Sequence, residues 1–149
     1  MTDKHNDNYN FIYVSHALVK QYKKYACKAL KGYGLTPAEI DIITFLVNQP
    51  PEVDTAKDIV KRRGLSKALV SKSIGSLVDK KLISLSLDEK DRRIVHLRLT
   101  SDADEIIGIV QESKKIFYME MTKNIKDTHM KIFKNVNIAL LENIKNINV

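Results

Sequence analysis

The strongest constraint on this chain is a change of hydrophobic period near Lys81. Before it, apolar residues recur every three or four positions from Leu69 to Val78, which is typical of one face of a helix. After it, apolar and polar residues alternate from Ile83 to Leu87 and again from Val95 to Leu99, which predicts the two strands of a hairpin. The turn between them, Asp88 to Arg93, is entirely charged, so we expect it to project into solvent.

Capping signals mark where several helices begin. Three sites place a hydroxyl at the N-cap and a carboxylate three residues later, which is the pattern of a capping box: Thr36 with Glu39, Thr55 with Asp58, and Ser101 with Asp104. The helix that follows Thr36 has Pro37 at its first position and is expected to run to about Asn48. The helix that follows Thr55 is broken by Gly64, and another begins near Ser66.

Long amphipathic helices are predicted at both ends of the chain. Apolar residues recur at helical spacing from Asn10 to Leu30, and again from about Asp127 to the last residues. The predicted fold is mainly α, a winged helix-turn-helix of about six helices with a small β-hairpin wing. We divide it into an N-terminal dimerisation helix (residues 1–34), a winged helix-turn-helix domain (35–100) and C-terminal dimerisation helices (101–149).

The excess positive charge lies in one segment. The net charge is +7, and residues 55–100 hold twelve Lys/Arg against five Asp/Glu, whereas the segments on either side are neutral. Such a cationic module suits a polyanion, because contacts with phosphates favour binding whatever the base sequence. Charge alone would also fit RNA or an anionic lipid, so the order of the elements must decide between them.

The helix that begins near Ser66 has a polar face of short side chains. A helix, a short turn and such a second helix are how a helix-turn-helix enters the major groove of double-stranded DNA, which is about 12 Å wide. The short side chains allow close approach to base edges, and the lysines reach phosphates or guanine acceptors. The candidate DNA-binding residues here are Ser66, Lys67, Ala68, Leu69, Ser71, Lys72 and Ser73. Before this helix, Lys61, Arg62 and Arg63 either grip the DNA backbone or form a solvated basic loop.

The charged hairpin turn is suited to reach the neighbouring minor groove. Negative potential in that groove attracts inserted arginine, so Arg92 and Arg93 are further candidate DNA-binding residues. Asp91 would repel phosphate by itself. We therefore interpret Asp91 as an orienting residue that accepts hydrogen bonds from an arginine and fixes the tip.

These residues resemble the MarR (multiple antibiotic resistance regulator) family of transcription factors. The most specific match is the charged turn from Asp88 to Arg93 and the strand ending Leu97-Arg98-Leu99-Thr100, which are similar to the family's Asp-x-Arg wing and its following Leu-Thr. The stretch from Leu65 to Lys72 is similar to its recognition helix, and Thr36 to Glu39 to the opening of its second helix. Gly75, inside the predicted recognition helix, departs from the pattern and costs roughly 1 kcal/mol of helix propensity.

The resemblance implies a homodimer that reads a near-palindromic operator, usually as a repressor released by a small molecule. The apolar faces of the terminal helices support dimerisation independently, because one winged domain cannot cover them. The family often holds aromatic or phenolic effectors in a cleft between its dimerisation and DNA-binding regions. The residues that could line that cleft are Tyr13, His16, Tyr22 and Tyr25, and interface packing explains them equally well.

Other classes of function have less support. We expect no metal and no cofactor, because the histidines are isolated in sequence and Cys27 is the only cysteine, although single cysteines act as redox switches in some relatives. The sequence has no phosphate loop, nucleophile elbow or carboxylate pair that would indicate an enzyme. It has no apolar run that spans a membrane, so we expect a cytoplasmic protein. The main alternative is a winged-helix protein-interaction module that does not bind DNA.

Overall fold

The structure is a computed structural model that describes residues 10–147. The elements in chain order are α1 (Phe11–Ala29), α2 (Pro37–Asn48), α3 (Ala56–Arg63), α4 (Lys67–Asp79), β1 (Ile83–Leu87), β2 (Val95–Leu99), α5 (Asp104–Met121) and α6 (Asp127–Lys145). A short 3₁₀ turn, Ser101–Ala103, lies between β2 and α5. The predicted mainly α fold with a two-stranded wing is confirmed.

Two of the three predicted capping boxes are present. The Thr36 hydroxyl accepts from the Glu39 N–H, and the Glu39 carboxylate accepts from the Thr36 N–H at 2.7 Å. Thr55 and Asp58 repeat this reciprocal pair at the start of α3. At the other end of α3, Gly64 adopts a left-handed conformation with φ of 66°, which a side chain would disfavour.

The third predicted capping box, at Ser101, is wrong. Ser101 begins the 3₁₀ turn, whose N-cap is Thr100, and no side chain caps it. The Thr100 hydroxyl instead donates to the backbone oxygen of Lys81, and the Ala103 N–H bonds to the Thr100 oxygen. The chain therefore enters α5 through a backbone turn, so a hydroxyl cap is not needed there.

The described chain divides into two units, one ending at Phe117 and the other beginning at Tyr118. The first unit has a core drawn from α1 to α5 and the hairpin. Its largest fully buried side chains include Phe45, Leu30, Ile43, Ile59 and Leu77. In the second unit, α6 has no buried residue, and its exposed large apolar side chains are Ile132, Phe133, Val136, Ile138, Leu141 and Ile144.

The hairpin is buried at its root, where it meets the helices, and exposed next to its turn. Its strands are antiparallel, with Ile83 opposite Leu99 and Leu87 opposite Val95. Ile83 and Leu97 are buried, whereas Leu87, next to the turn, is 60% exposed. The Leu97 N–H also donates to the backbone oxygen of Asp54, which joins β2 to the segment before α3. The hairpin is therefore a wing anchored on the helix-turn-helix unit.

Apolar side chains remain exposed on α1 and α5 as well as on α6. On α1 they are Phe11, Ile12, Tyr13, Val14, Leu18 and Val19, and on α5 they are Ile116, Tyr118 and Met119. No helix within residues 10–147 is long and apolar enough to cross a bilayer.

Candidate nucleic-acid interface

Helix α4 has a solvent-exposed face over its first two turns. The Ser66 hydroxyl accepts from the Leu69 N–H at 3.2 Å, which caps the helix. Val70, Ile74 and Leu77 are buried against the core and fix the rotation of the helix. The predicted residues that this leaves exposed are Ser66, Lys67, Ala68, Leu69, Ser71 and Lys72.

Ser73 is the exception among the predicted residues of α4. It is only 5% exposed, because it lies on the same side of the helix as Val70 and Leu77. We therefore remove Ser73 from the candidate DNA-binding residues. The signal was available in the sequence, since Ser73 is three residues from one buried position and four from the other.

Gly75 does not interrupt α4. The helix runs without a break from Lys67 to Asp79, and Gly75 is exposed. A Cβ atom at this glycine would meet no atom within 4 Å. The cost that the sequence attaches to Gly75 is therefore one of propensity alone, with no kink.

The tip of the wing is held by two carboxylates. Asp88 Oδ1 accepts from the N–H groups of Lys90 and Asp91, both at 2.8 Å. The Asp91 carboxylate accepts from Arg93 three times, from its N–H and Nε at 3.0 Å and from NH2 at 2.9 Å. The predicted contact between Asp91 and an arginine is thus present, and the arginine is Arg93. Its side chain is 90% exposed.

The electrostatics of the tip follow from these bonds. Hydrogen bonds from the Arg93 side chain and backbone lower the pKa of Asp91, and the Asp91 carboxylate raises the pKa of Arg93. Asp91 is therefore ionised and Arg93 is oriented without losing its exposure. Arg92 is also exposed, and within residues 10–147 it makes no ion pair or side-chain hydrogen bond. Among the described residues of the wing, Arg93 is thus held by Asp91 and Arg92 is exposed without such a partner.

His96, on β2 next to the turn end of the wing, is a site residue that the sequence does not indicate. His96 Nδ1 lies 2.7 Å from Asp54 Oδ1, and Nε2 lies 3.1 Å from Asp88 Oδ2. Asp54 precedes α3 and is 42 positions away along the chain. No local sequence pattern indicates a pair at this separation, so His96 looks isolated in the sequence.

Three basic side chains of the cationic segment form ion pairs with carboxylates that precede it in sequence. Arg63 pairs with Asp41 at 3.5 Å, Lys80 pairs with Glu39 at 2.8 Å, and Arg98 pairs with Asp54. The sequence count of residues 55–100 therefore overstates the free positive charge. The nine basic residues that remain are all exposed: Lys57, Lys61, Arg62, Lys67, Lys72, Lys81, Lys90, Arg92 and Arg93.

Arg63 differs from its two basic neighbours. Its guanidinium lies over the ring of Phe45 at 5.4 Å and its side chain is only 17% exposed. Arg63 therefore packs against the domain and is not exposed for contact with the DNA backbone. Lys61 and Arg62 remain exposed, and Arg62 donates to the Gln49 side chain.

A cavity of about 540 Å³ lies between α1, α2 and α4. Tyr22 and Cys27 line it from α1, and Leu69 and Ser73 line it from α4. Burial, followed by the charge of Asp41, raises the pKa of the Cys27 thiol. Cys27 is therefore held as a protonated thiol in the wall of the cavity.

The four residues predicted for an effector cleft do not line one cavity. Tyr22 lines the cavity described above and Tyr25 borders a different depression, although both rings pack on Phe117, with centroids 5.4 and 5.8 Å from it. Tyr13 is 54% exposed and His16 is also exposed. The four lie on one helix, but helical rotation directs only one of them into this space.

A helix, a tight turn, a second helix with a free polar face and an anchored wing define a winged helix-turn-helix protein. The model of the MarR family matches residues 33–94, which cover α2, α3, α4 and β1. This region of the chain is therefore similar to the MarR family, and the resemblance seen in the sequence is confirmed. The family consists of transcription regulators and not of enzymes.

One curated protein is similar to this chain in sequence, and two solved structures share its fold. The uncharacterised HTH-type transcriptional regulator YdgJ of Bacillus subtilis is 25% identical over 76% of this chain and 68% of its own length. A MarR-family regulator from Listeria monocytogenes, solved with a 26mer DNA, superposes with a TM-score of 0.72 over 92% of this chain and 90% of its own, at 12% identity. BpsR of Bordetella bronchiseptica, whose DNA binding is regulated by 6-hydroxynicotinic acid, superposes with a TM-score of 0.60 over 97% of this chain and 99% of its own, at 16% identity.

Proposed function

We propose that this chain is a transcription regulator that binds double-stranded DNA sequence-specifically through α4 and the wing. The observation that carries the proposal is the placement of a free polar helix face and an arginine-tipped hairpin on one unit, together with nine exposed basic side chains. Helix α4 supplies Ser71 and Lys72 for the major groove. The wing supplies Arg92 and Arg93 for the adjacent minor groove. The Listeria regulator bound to DNA has the same fold and supports this use of it.

The regulator is proposed to act as a homodimer. Within the described residues α6 buries none of its side chains, yet Phe133 is 47% exposed and Ile144 is 55% exposed. Helix α1 also exposes apolar residues, such as Phe11 and Val14. A second copy of the chain supplies an apolar partner of matching character, as obligate dimer interfaces do. A two-fold dimer reads a pseudo-palindrome whose half-sites are about one helical turn apart.

Repression released by a small effector is the proposed mode of regulation. The cavity between α1, α2 and α4 is of the size that small ligands use in proteins. It is bordered both by Tyr22 of the N-terminal helix and by Leu69 and Ser73 of the DNA-facing helix. A small phenolic or aromatic molecule bound there changes the position of α4 and so its fit to the operator. BpsR, which responds to 6-hydroxynicotinic acid, supports this class of effector.

The direct test is selection of DNA fragments from a genomic pool by the full-length protein, followed by fluorescence anisotropy on the enriched sequence. We expect a shared near-palindromic element, and an affinity that falls as salt rises because phosphate contacts are electrostatic. The control is a duplex of the same length with scrambled bases. Equal affinity for both duplexes would contradict the proposal that the protein recognises a specific sequence.

A protein-interaction module is the second candidate. It is favoured only by the exposed apolar side chains of the wing, such as Leu85 and Leu87. Retention of the chain on duplex DNA that does not weaken across a salt gradient, or no retention at all, would support the module over the regulator.

A further inference from the structure

His96 ties the tip of the wing to the body of the domain. It lies on β2 and contacts Asp88, the residue at the start of the turn, and Asp54, the residue before α3. Asp54 is buried at 3% exposure and its backbone oxygen accepts from the Leu97 N–H, so it belongs to the rigid root. Asp88 Oδ1 holds the N–H groups of the turn while Oδ2 holds His96. One imidazole therefore connects the root carboxylate to the tip carboxylate.

A hydrogen bond from each ring nitrogen to a carboxylate needs a proton on both nitrogens. A neutral imidazole donates from one nitrogen and accepts at the other, so it can satisfy only one of two ionised carboxylates. The second carboxylate would then face a lone pair. An imidazolium donates to both, and each bond gains from opposite charge. The two contacts, at 2.7 and 3.1 Å, are therefore both hydrogen bonds only when the ring carries both protons.

Other charged and polar groups also contact the two carboxylates. Arg98, on the same strand, pairs with Asp54 and also donates to the Pro51 backbone oxygen. Hydrogen bonds from the Asp91 backbone, then from His96 and from the Lys90 backbone, lower the pKa of Asp88. Asp88 is therefore ionised where histidine titrates.

We propose that His96 is the positioning residue of the wing, and that its proton sets how firmly the arginine-tipped turn is held over the DNA-facing side of the domain. With the proton, Asp88 is tied to the root and the turn is fixed. Without it, Asp88 is repelled by the imidazole lone pair and the turn is released. The consequence for DNA rests on the function proposed above: affinity falls as pH rises through the range in which histidine titrates.

Asp88→Asn is the variant that separates this mechanism from a general effect of pH. The asparagine Oδ1 still accepts from the turn N–H groups, and its amide now donates to the lone pair of a neutral His96. The turn is then held without the proton. His96→Gln, which cannot titrate, is the second variant and also removes the pH dependence of the turn.

The first experiment is NMR of the full chain from about pH 5.5 to about pH 8.5, without DNA. In the unmodified protein we expect the amide signals of Lys90 and Asp91 to shift with the ring signals of His96. In Asp88→Asn we expect the amide signals of Lys90 and Asp91 to stay constant across the same range. Turn signals that ignore the His96 titration, or that move equally in both proteins, would overturn the proposal.

The second experiment measures affinity for a mixed-sequence duplex of about 30 bp over the same pH range. We expect a loss of roughly fivefold in the unmodified protein, the scale of one weak ionic contact, and a smaller loss in Asp88→Asn. Equal losses would overturn the link from histidine to DNA. No duplex binding at any pH would defeat the proposed regulator itself, while the NMR titration would still decide whether His96 positions the wing.

Discussion

Lys80 Nζ donates to both carboxylate oxygens of Glu39, at 2.8 and 2.9 Å, although Glu39 is only 1% exposed. The same ammonium donates to the Gly34 backbone oxygen at 2.9 Å. One side chain at the end of α4 therefore joins the start of α2 to the linker that precedes it. We expect Lys80→Met to destabilise the fold by about 1.5–3 kcal/mol, the range for hydrogen bonds to charged groups. Lys24→Met, an exposed lysine of α1, is the control in urea denaturation, and equal losses would contradict the expectation.

Acid should remove part of this stability. Burial alone would raise the pKa of Glu39, but hydrogen bonds from Lys80, Ser76 and Thr36 outweigh it and lower the pKa from 4.5 to about 2. A carboxyl with a depressed folded pKa stabilises the fold fully above its unfolded value, and the contribution is lost as pH falls from about 4.5 towards 2. Glu39→Gln should therefore cost more stability at about pH 6 than at about pH 3. A cost that is the same at both pH values in chemical denaturation argues against this assignment.

Two glycines of the cationic segment should respond oppositely to alanine. Gly75 is helical, exposed and free of neighbours, so Gly75→Ala should stabilise the chain by about 0.4–1 kcal/mol. Gly64 has φ of 66°, where Cβ is disfavoured, so Gly64→Ala should cost roughly 1–2 kcal/mol. Thermal melts of both variants give the comparison. A gain at position 64 or a loss at position 75 would show that backbone conformation does not decide the effect.

Removing either wing arginine should weaken DNA binding without unfolding the chain. Arg92→Ala and Arg93→Ala each remove an exposed cation from the tip, and we expect a loss of about 1–2 kcal/mol and a shallower salt dependence. Asp91→Ala should weaken binding less, because it frees Arg93 but does not delete it. The measurement is anisotropy on the selected operator, with Lys115→Ala on α5 as the matched charge control. Unchanged affinity in both arginine variants would remove the wing from recognition.

A charge on the apolar face of α6 should separate the dimer. Phe133→Asp places a carboxylate among exposed apolar side chains that we assign to the dimer interface, and its burial without a partner is unfavourable. We expect light scattering to give about twice 17.0 kDa for the unmodified chain and a single chain mass for the variant. Asn135→Asp, an exposed polar position of the same helix, has the same charge change and should stay dimeric. A variant at Phe133 that keeps the dimer mass would move the interface away from this face.

Local features of the fold could be predicted from the sequence because their physics is local. The capping boxes at Thr36 and Thr55 use residues three positions apart, and the hairpin follows from alternation within five residues. The contact between Asp91 and an arginine was accessible for the same reason. At Ser101 the same pattern predicted a capping box that is absent. The chain forms a 3₁₀ turn there, and no side chain caps it.

Long-range pairing could not be predicted. Nothing near His96 identifies Asp54 as its partner, and nothing near Arg63 shows that Asp41 and the ring of Phe45 hold it inside the domain. Charge counting along the chain assigns every basic residue to the surface, whereas folding brings carboxylates from earlier elements onto three of them. The cleft residues on α1 were chosen along one helix, and a helix presents different faces to different neighbours, so Tyr22 and Tyr25 border different depressions.

The burial of Arg63 beside two exposed basic residues affects how a random-mutagenesis screen of this protein is interpreted. A change at Arg63 leaves Asp41 without one of its cations and uncovers Phe45, so it lowers the amount of folded chain that escapes proteolysis in the cell. A reporter that monitors only promoter output would group it with substitutions at Arg62, one position away. Measuring protein abundance alongside the reporter signal identifies the substitutions at position 63 that act by reducing the amount of folded protein.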